Sequence, residues 1–142
     1  MSLQVPLVRG YRREQKVERQ VDNMGFGPPD WSINSTPAAS AQATCTKAAN
    51  AAFAHVCTSI SATLSAVTGQ TLIQLNLRDG ASGAGTILWS KQVVLPAGAI
   101  WEVNLTNLLI RGTNGNAMTL EFSGAPVATN VEAVSMTGYD AA

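Results

Sequence analysis

Apolar and polar residues alternate with period two along most of this chain, from about residue 41 to its end, and nothing else in the sequence restricts the fold as much. Ile73, Leu75 and Leu77 oppose Gln74, Asn76 and Arg78, and Trp101, Val103 and Leu105 oppose Glu102 and Asn104. Met118, Leu120 and Phe122 oppose Thr119 and Glu121, and Val56, Ile60, Ala62 and Leu64 share a parity broken only by Thr58. Successive side chains on a strand point to opposite faces, so each segment offers one face to a core and one to water. Strands are expected over 41–48, 55–66, 70–78, 86–94, 100–105, 108–111, 117–122 and 131–139. Turn residues separate them, among them Gly69, Asp79-Gly80, Pro96-Ala97-Gly98 and Asn114-Gly115-Asn116. Short, regularly spaced strands call for a sandwich or barrel. The fold expected is an all-β, eight-stranded jelly-roll sandwich with an extended N-terminal arm. An immunoglobulin-like sandwich ranks second. It usually has seven strands, and its paired cysteines lie far apart around a tryptophan, whereas Cys45 and Cys57 are twelve apart with none between.

The arm is defined by charge. Residues 1–30 hold nine of the eighteen Asp, Glu, Lys and Arg residues. Such density opposes unaided burial, and Pro6, Gly10, Gly25, Gly27, Pro28, Pro29 and Pro37 interrupt every candidate element. Residues 1–40 are read as arm and linker, and residues 41–142 as the jelly-roll domain. Within the arm, Tyr11, Phe26 and Trp31 are large aromatics without a local core, and Arg12 and Arg13 sit beside the first of them. These five residues are the candidate partner-binding set, because anchored aromatics and arginines dominate protein interfaces. For Trp31 and the other aromatics, docking onto the protein's own body is the competing expectation.

Formal net charge is zero, and Glu14, Glu18 and Asp22 lie among the basic residues of the arm. Neither a nucleic-acid partner nor a membrane surface is expected. No apolar run approaches the roughly 20 residues of a membrane span, and the first residues lack an apolar signal core. The chain is expected to be made in the cytoplasm. Asn34-Ser35-Thr36 and Asn104-Leu105-Thr106 match the glycosylation pattern, and without a signal segment both are read as chance matches.

No catalytic constellation stands out, so no enzyme, cofactor or metal site is expected. His55 is the only histidine and is read as an exposed turn residue; a place in a nucleophile's triad is the alternative. Two cysteines and one histidine are too few for a zinc site, so Cys45 and Cys57 are read as reduced structural thiols, which a hairpin about Ala51 could place opposite each other. The segment from Gly80 to Thr86 lacks the Gly-Lys-Ser/Thr ending of a phosphate loop and is read as a hairpin. Trp89 and Trp101 are assigned to the core, with a sugar-stacking platform as the alternative.

One resemblance runs through the body. It is carried by Lys47-Ala48-Ala49, the run from His55 to Ala62, Leu77-Arg78-Asp79-Gly80, Gly83 to Trp89, Gly115 to Phe122 and the terminal Gly138-Tyr139. In this pattern and in size the chain resembles the small capsid cement, or decoration, proteins of tailed phages, including those of Bordetella phages. The likeness covers about residues 41–140 and does not extend to the arm. It implies a virion protein on the outer capsid surface that clamps neighbouring subunits of the major capsid protein. A homodimer is the simplest form of such a clamp. A tail or receptor-binding β module that recognises host glycan is the alternative.

Overall fold

A computed structural model describes residues 30–142 and builds them into two antiparallel sheets facing one core, with no helix among these residues. The described residues form nine strands: β1 (Trp31–Ser35), β2 (Thr44–Lys47), β3 (Ala54–Ser65), β4 (Gln70–Asp79), β5 (Thr86–Leu95), β6 (Ile100–Leu105), β7 (Ile110–Arg111), β8 (Met118–Phe122) and β9 (Val131–Ala141). Sheet A has the order β1-β9-β3-β6, with β7 also pairing β3, and sheet B has the order β2-β8-β4-β5. With β7 set aside, the first strand pairs the last, the second the next to last, the third the sixth and the fourth the fifth. That nesting is the rolled-up hairpin of a jelly roll, and it excludes the immunoglobulin-like alternative.

The expected count of eight agrees with the jelly roll only by a cancellation. The eight expected strands include β7, which is a two-residue addition, and omit β1, which is the first strand among the described residues. Five residues with only Trp31 and Ile33 as apolar members carry little periodicity, and the adjacent prolines suggested irregular chain. What makes Trp31–Ser35 a strand is its partner, β9, about a hundred residues downstream. Among the described residues the sandwich therefore starts at Trp31, inside the span read as arm and linker.

The core is built as the alternation implied. Ile60, Ala62 and Leu64 from β3, Leu75 and Leu77 from β4, Met118, Leu120 and Phe122 from β8, and Val134 and Met136 from β9 are all buried. Burying each of these side chains other than Ala62 is worth roughly 1.5–3 kcal/mol against leaving it exposed. Trp101, Val103 and Leu105 are only half-buried, contrary to their expected full burial. Their parity is right, but β6 is an outer strand of sheet A, where the opposite sheet no longer covers the inward face completely.

Strand β8 departs from simple alternation. Thr119 and Glu121 point away from the core and are nevertheless buried, like their apolar neighbours. The cover is the β4–β5 connection, residues 80–85, which folds back across the outer face of sheet B. Thr119 donates to the Gly80 carbonyl at 2.8 Å, and the Glu121 carboxylate receives Ser82 and the Gly83 N–H. Gly85 lets the loop reverse: its φ is +79°, and a Cβ there would overlap the Asp79 carbonyl.

Candidate functional site

One polar cluster lies where β1, β9 and β3 run side by side at one end of sheet A. The β1–β9 register places Trp31 opposite Gly138, and the β3–β9 register places His55 opposite Asp140. Asp140 Oδ1 thus receives the Trp31 indole N–H at 3.0 Å and His55 Nδ1 at 2.6 Å. The indole and imidazole rings meet edge to face with centroids 6.0 Å apart, and Lys47 Nζ lies 6.0 Å above the indole. Strands β1, β9 and β3 are thereby tied together at one end of sheet A by a single carboxylate.

His55 is 1% exposed, which overturns its reading as an exposed turn residue. It is the second residue of β3, beneath Trp31, and because the sequence pattern does not show β1, it does not show the cover. Its second nitrogen, Nε2, lies 2.7 Å from the Ala48 carbonyl oxygen. Both ring nitrogens face acceptors, so both contacts are hydrogen bonds when the ring carries two protons. An acid-histidine pair of this kind is two-thirds of a triad, and a main-chain carbonyl occupies the place of the hydroxyl nucleophile. The ring is therefore built to hold the Ala48 turn, and its Nε2 is not free to accept a proton from Ser or Thr.

Trp31 is 8% exposed and packs in the core cluster. It is accordingly removed from the partner-binding set: the competing expectation, docking on its own body, is the arrangement seen. Tyr11, Arg12, Arg13 and Phe26 lie outside the described residues.

Two further carboxylates are enclosed. Desolvation disfavours ionisation of Glu121, but Ser82, the Gly83 N–H at 2.8 Å, Arg78 Nε at 2.8 Å and Thr44 at 3.2 Å outweigh it and hold the carboxyl below its ordinary value. Its work is to pin the loop that covers it. Glu132 is the reverse case. It lies on the inward parity of β9 with Val134 and Met136, is fully buried, and has one hydrogen bond, from the Ala43 N–H at 2.9 Å to Oε1. Oε2 has no partner. Burial pushes this carboxyl up to about 7, and the single amide offsets little of that.

Cys45 and Cys57 are free and buried. They lie on β2 and β3, in opposite sheets, and not as the cross-strand pair that a hairpin about Ala51 would produce. Burial pushes both thiols up to about 12, so neither supplies a thiolate nucleophile near neutral pH. No group of three His, Cys, Asp or Glu able to hold a metal occurs among the described residues. Trp89 and Trp101 lie in different sheets, and each packs partly against the core, Trp101 edge to face on Phe122 at 6.1 Å. They do not form a shared platform for a sugar ring.

Sequence reasoning missed the Trp31, Asp140 and His55 cluster, and no spacing signals it, since the members are up to 109 residues apart. Glu132 was legible in principle: its parity with Val134 and Met136 marks it as a core position. No family model matches the chain, and no curated protein does. Among solved structures, a carbohydrate-binding module from a study entitled "CBM4 structure and function" aligns at 14% identity over 81% of this chain and 76% of its own, with a TM-score of 0.41. The module TmCBM61, solved with β-1,4-galactotriose, aligns at 9% identity over 80% and 72%, with a TM-score of 0.34. The coat protein of Tobacco streak virus aligns at 8% identity over 79% and 90%, with a TM-score of 0.29. Likeness this distant goes no further than layout, and no role follows from it.

Proposed function

We propose that this chain is a non-enzymatic clamp on the outside of a tailed-phage head, most simply a homodimer bridging neighbouring subunits of the major capsid protein. The observation that carries the reading is how firmly β1, the strand that follows residues 1–29 in the chain, is held in the sandwich. Residue 30 leads into β1, which is hydrogen-bonded along its length to β9, and β9 in turn lies between β1 and β3. Trp31, the first residue of that strand, is buried and tied to Asp140, which also holds His55. A pull on the N-terminal segment would have to strip β1 from β9 and draw an indole out of the core. A protein that holds two capsid subunits together through its N-terminal segment needs this junction to resist force; a freely hinged tether does not.

The charged groups of residues 1–30 suit the rim of a protein interface, where ion pairs set register more than affinity. Binding of this kind stabilises by mass action, because only assembled capsid carries the site. Heads stripped of the protein should burst at lower temperature than complete heads. Adding back the full chain should restore them, and a chain lacking residues 1–29 should not. Stripped heads as robust as complete ones would overturn the clamp, and binding of the protein to host glycan in their place would establish the alternative.

A further inference from the structure

Strand β5 is one of the two outer strands of sheet B, and among the described residues it pairs only with β4. It is ten residues long, against five, four and six for the other outer strands β1, β2 and β6. Outer strands display open rows of N–H and C=O groups, and proteins usually blunt them by shortness, proline or several charges. β5 has one charged residue, Lys91, and no proline. Between register shifts at either end, Trp89 to Val93 runs regularly against Ile73 to Leu77.

The direction of the open groups follows from β4. The Gln74 carbonyl accepts the Ser123 N–H at 2.7 Å, and the Gln74 N–H donates to Ser123 Oγ at 3.1 Å, so the main chain of Gln74 faces the β8 side. By alternation Ile73 and Leu75 face β5, where they meet Val93 and Lys91. The main-chain groups of Lys91 and Val93 are thus spent on β4, and those of Ser90 and Gln92 point outward. Ser90 and Gln92 are both exposed.

We propose that β5 pairs antiparallel with β5 of a second copy across a two-fold axis at Ser90, joining two four-stranded sheets into one of eight. Ser90 would exchange its N–H and C=O with Ser90 of the partner subunit. On the inner face Lys91 would lie opposite Trp89 of the partner subunit, twice by symmetry, a cation placed against an indole. Charge selects the register. Centring on Lys91 would oppose two ammonium groups, and centring on Trp89 or Gln92 would leave the lysine against Ile87 or Val93. Self-pairing also closes at two copies and covers both open edges, whereas pairing with a different strand leaves one free. The proposal deepens the homodimer of the clamp reading and rests on it.

The test uses the full chain. Its mass in light scattering at micromolar concentration should be twice 14.8 kDa. Ser90→Cys should cross-link to itself under mild oxidation, since paired Cα atoms here would be about 5.5 Å apart and within disulfide reach. Gln92→Cys should not, and the buried Cys45 and Cys57 do not compete. Ser90→Pro removes only an outward N–H, which an outer strand tolerates, and should give a monomer with an unchanged far-ultraviolet spectrum. If that variant does not fold, Ser90→Lys supplies the same loss through like charge across the axis. A dimer in which Ser90→Cys does not cross-link and Ser90→Pro persists as a dimer overturns the β5 interface and leaves a two-fold clamp standing on another surface. A monomeric wild type, with β5 covered by residues 1–29 or by a different protein, overturns both the interface and the dimeric clamp.

Discussion

The indole of Trp31 lies across Gly138, its register partner on β9, so closely that a Cβ on residue 138 would overlap both the ring and the Val56 carbonyl. The glycine makes room for the tryptophan, and the tryptophan then reaches Asp140. Gly138→Ala should expel the ring and uncouple β1, with a loss in the upper part of the roughly 1–3 kcal/mol range typical of overpacking. Urea denaturation followed by tryptophan emission would check it. Stability and emission wavelength equal to wild type would show that the clasp tolerates the methyl group.

Phe122 and Trp101 meet edge to face but differ in cover, Phe122 being fully buried and Trp101 half-buried. Phe122→Ala should cost about 3–5 kcal/mol, and Trp101→Ala distinctly less despite the larger ring, because part of its surface is already in water. Equal losses in a denaturant series would mean that β6 is covered more fully than its position at the sheet edge allows.

Stability should fall as pH rises from about 4.5 to about 7, the ordinary and folded values for Glu132. Within that window the folded protein holds a proton that the unfolded chain has released, so unfolding gains with pH at up to about 1.4 kcal/mol per pH unit. Glu132→Gln should flatten this slope and be more stable than wild type above pH 7. Glu121 works in the opposite sense. Its carboxyl is held below 4.5, so its contribution is present above that pH and lost as the solution becomes more acidic. Thermal melts at stepped pH on Glu132→Gln and on Glu121→Gln separate the two groups. A wild-type profile that is flat from pH 5 to 7 would contradict the buried-acid account.

Cys45 and Cys57, both pushed up to about 12 by burial, should be silent to a thiol reagent at pH 8 in the folded protein and should both react in denaturant. Rapid labelling of one thiol under native conditions would place it near the surface. A disulfide in the protein as isolated would contradict the reduced thiols.

Period-two alternation and turn chemistry determined an all-β sandwich, because a strand's faces are set by parity whatever it pairs with. Leu75, Leu77, Leu120 and Phe122 could therefore be assigned inward from sequence, and the hairpin from Gly80 to Thr86 could be placed between β4 and β5. What local pattern could not decide was cover. Glu121 has outward parity and is buried because a loop folds over it, while Trp101 has inward parity and is half-exposed because β6 ends its sheet. Trp31, His55 and Asp140 show the same limit most sharply. Nothing local to any of the three marks a cluster, and only the registers of β1 and β3 on β9 bring a tryptophan, a histidine and a carboxylate to one point. Parity belongs to a single strand, but burial and hydrogen-bond partners belong to pairs of strands far apart in the chain, so the clasp that holds β1 arises only from the tertiary fold.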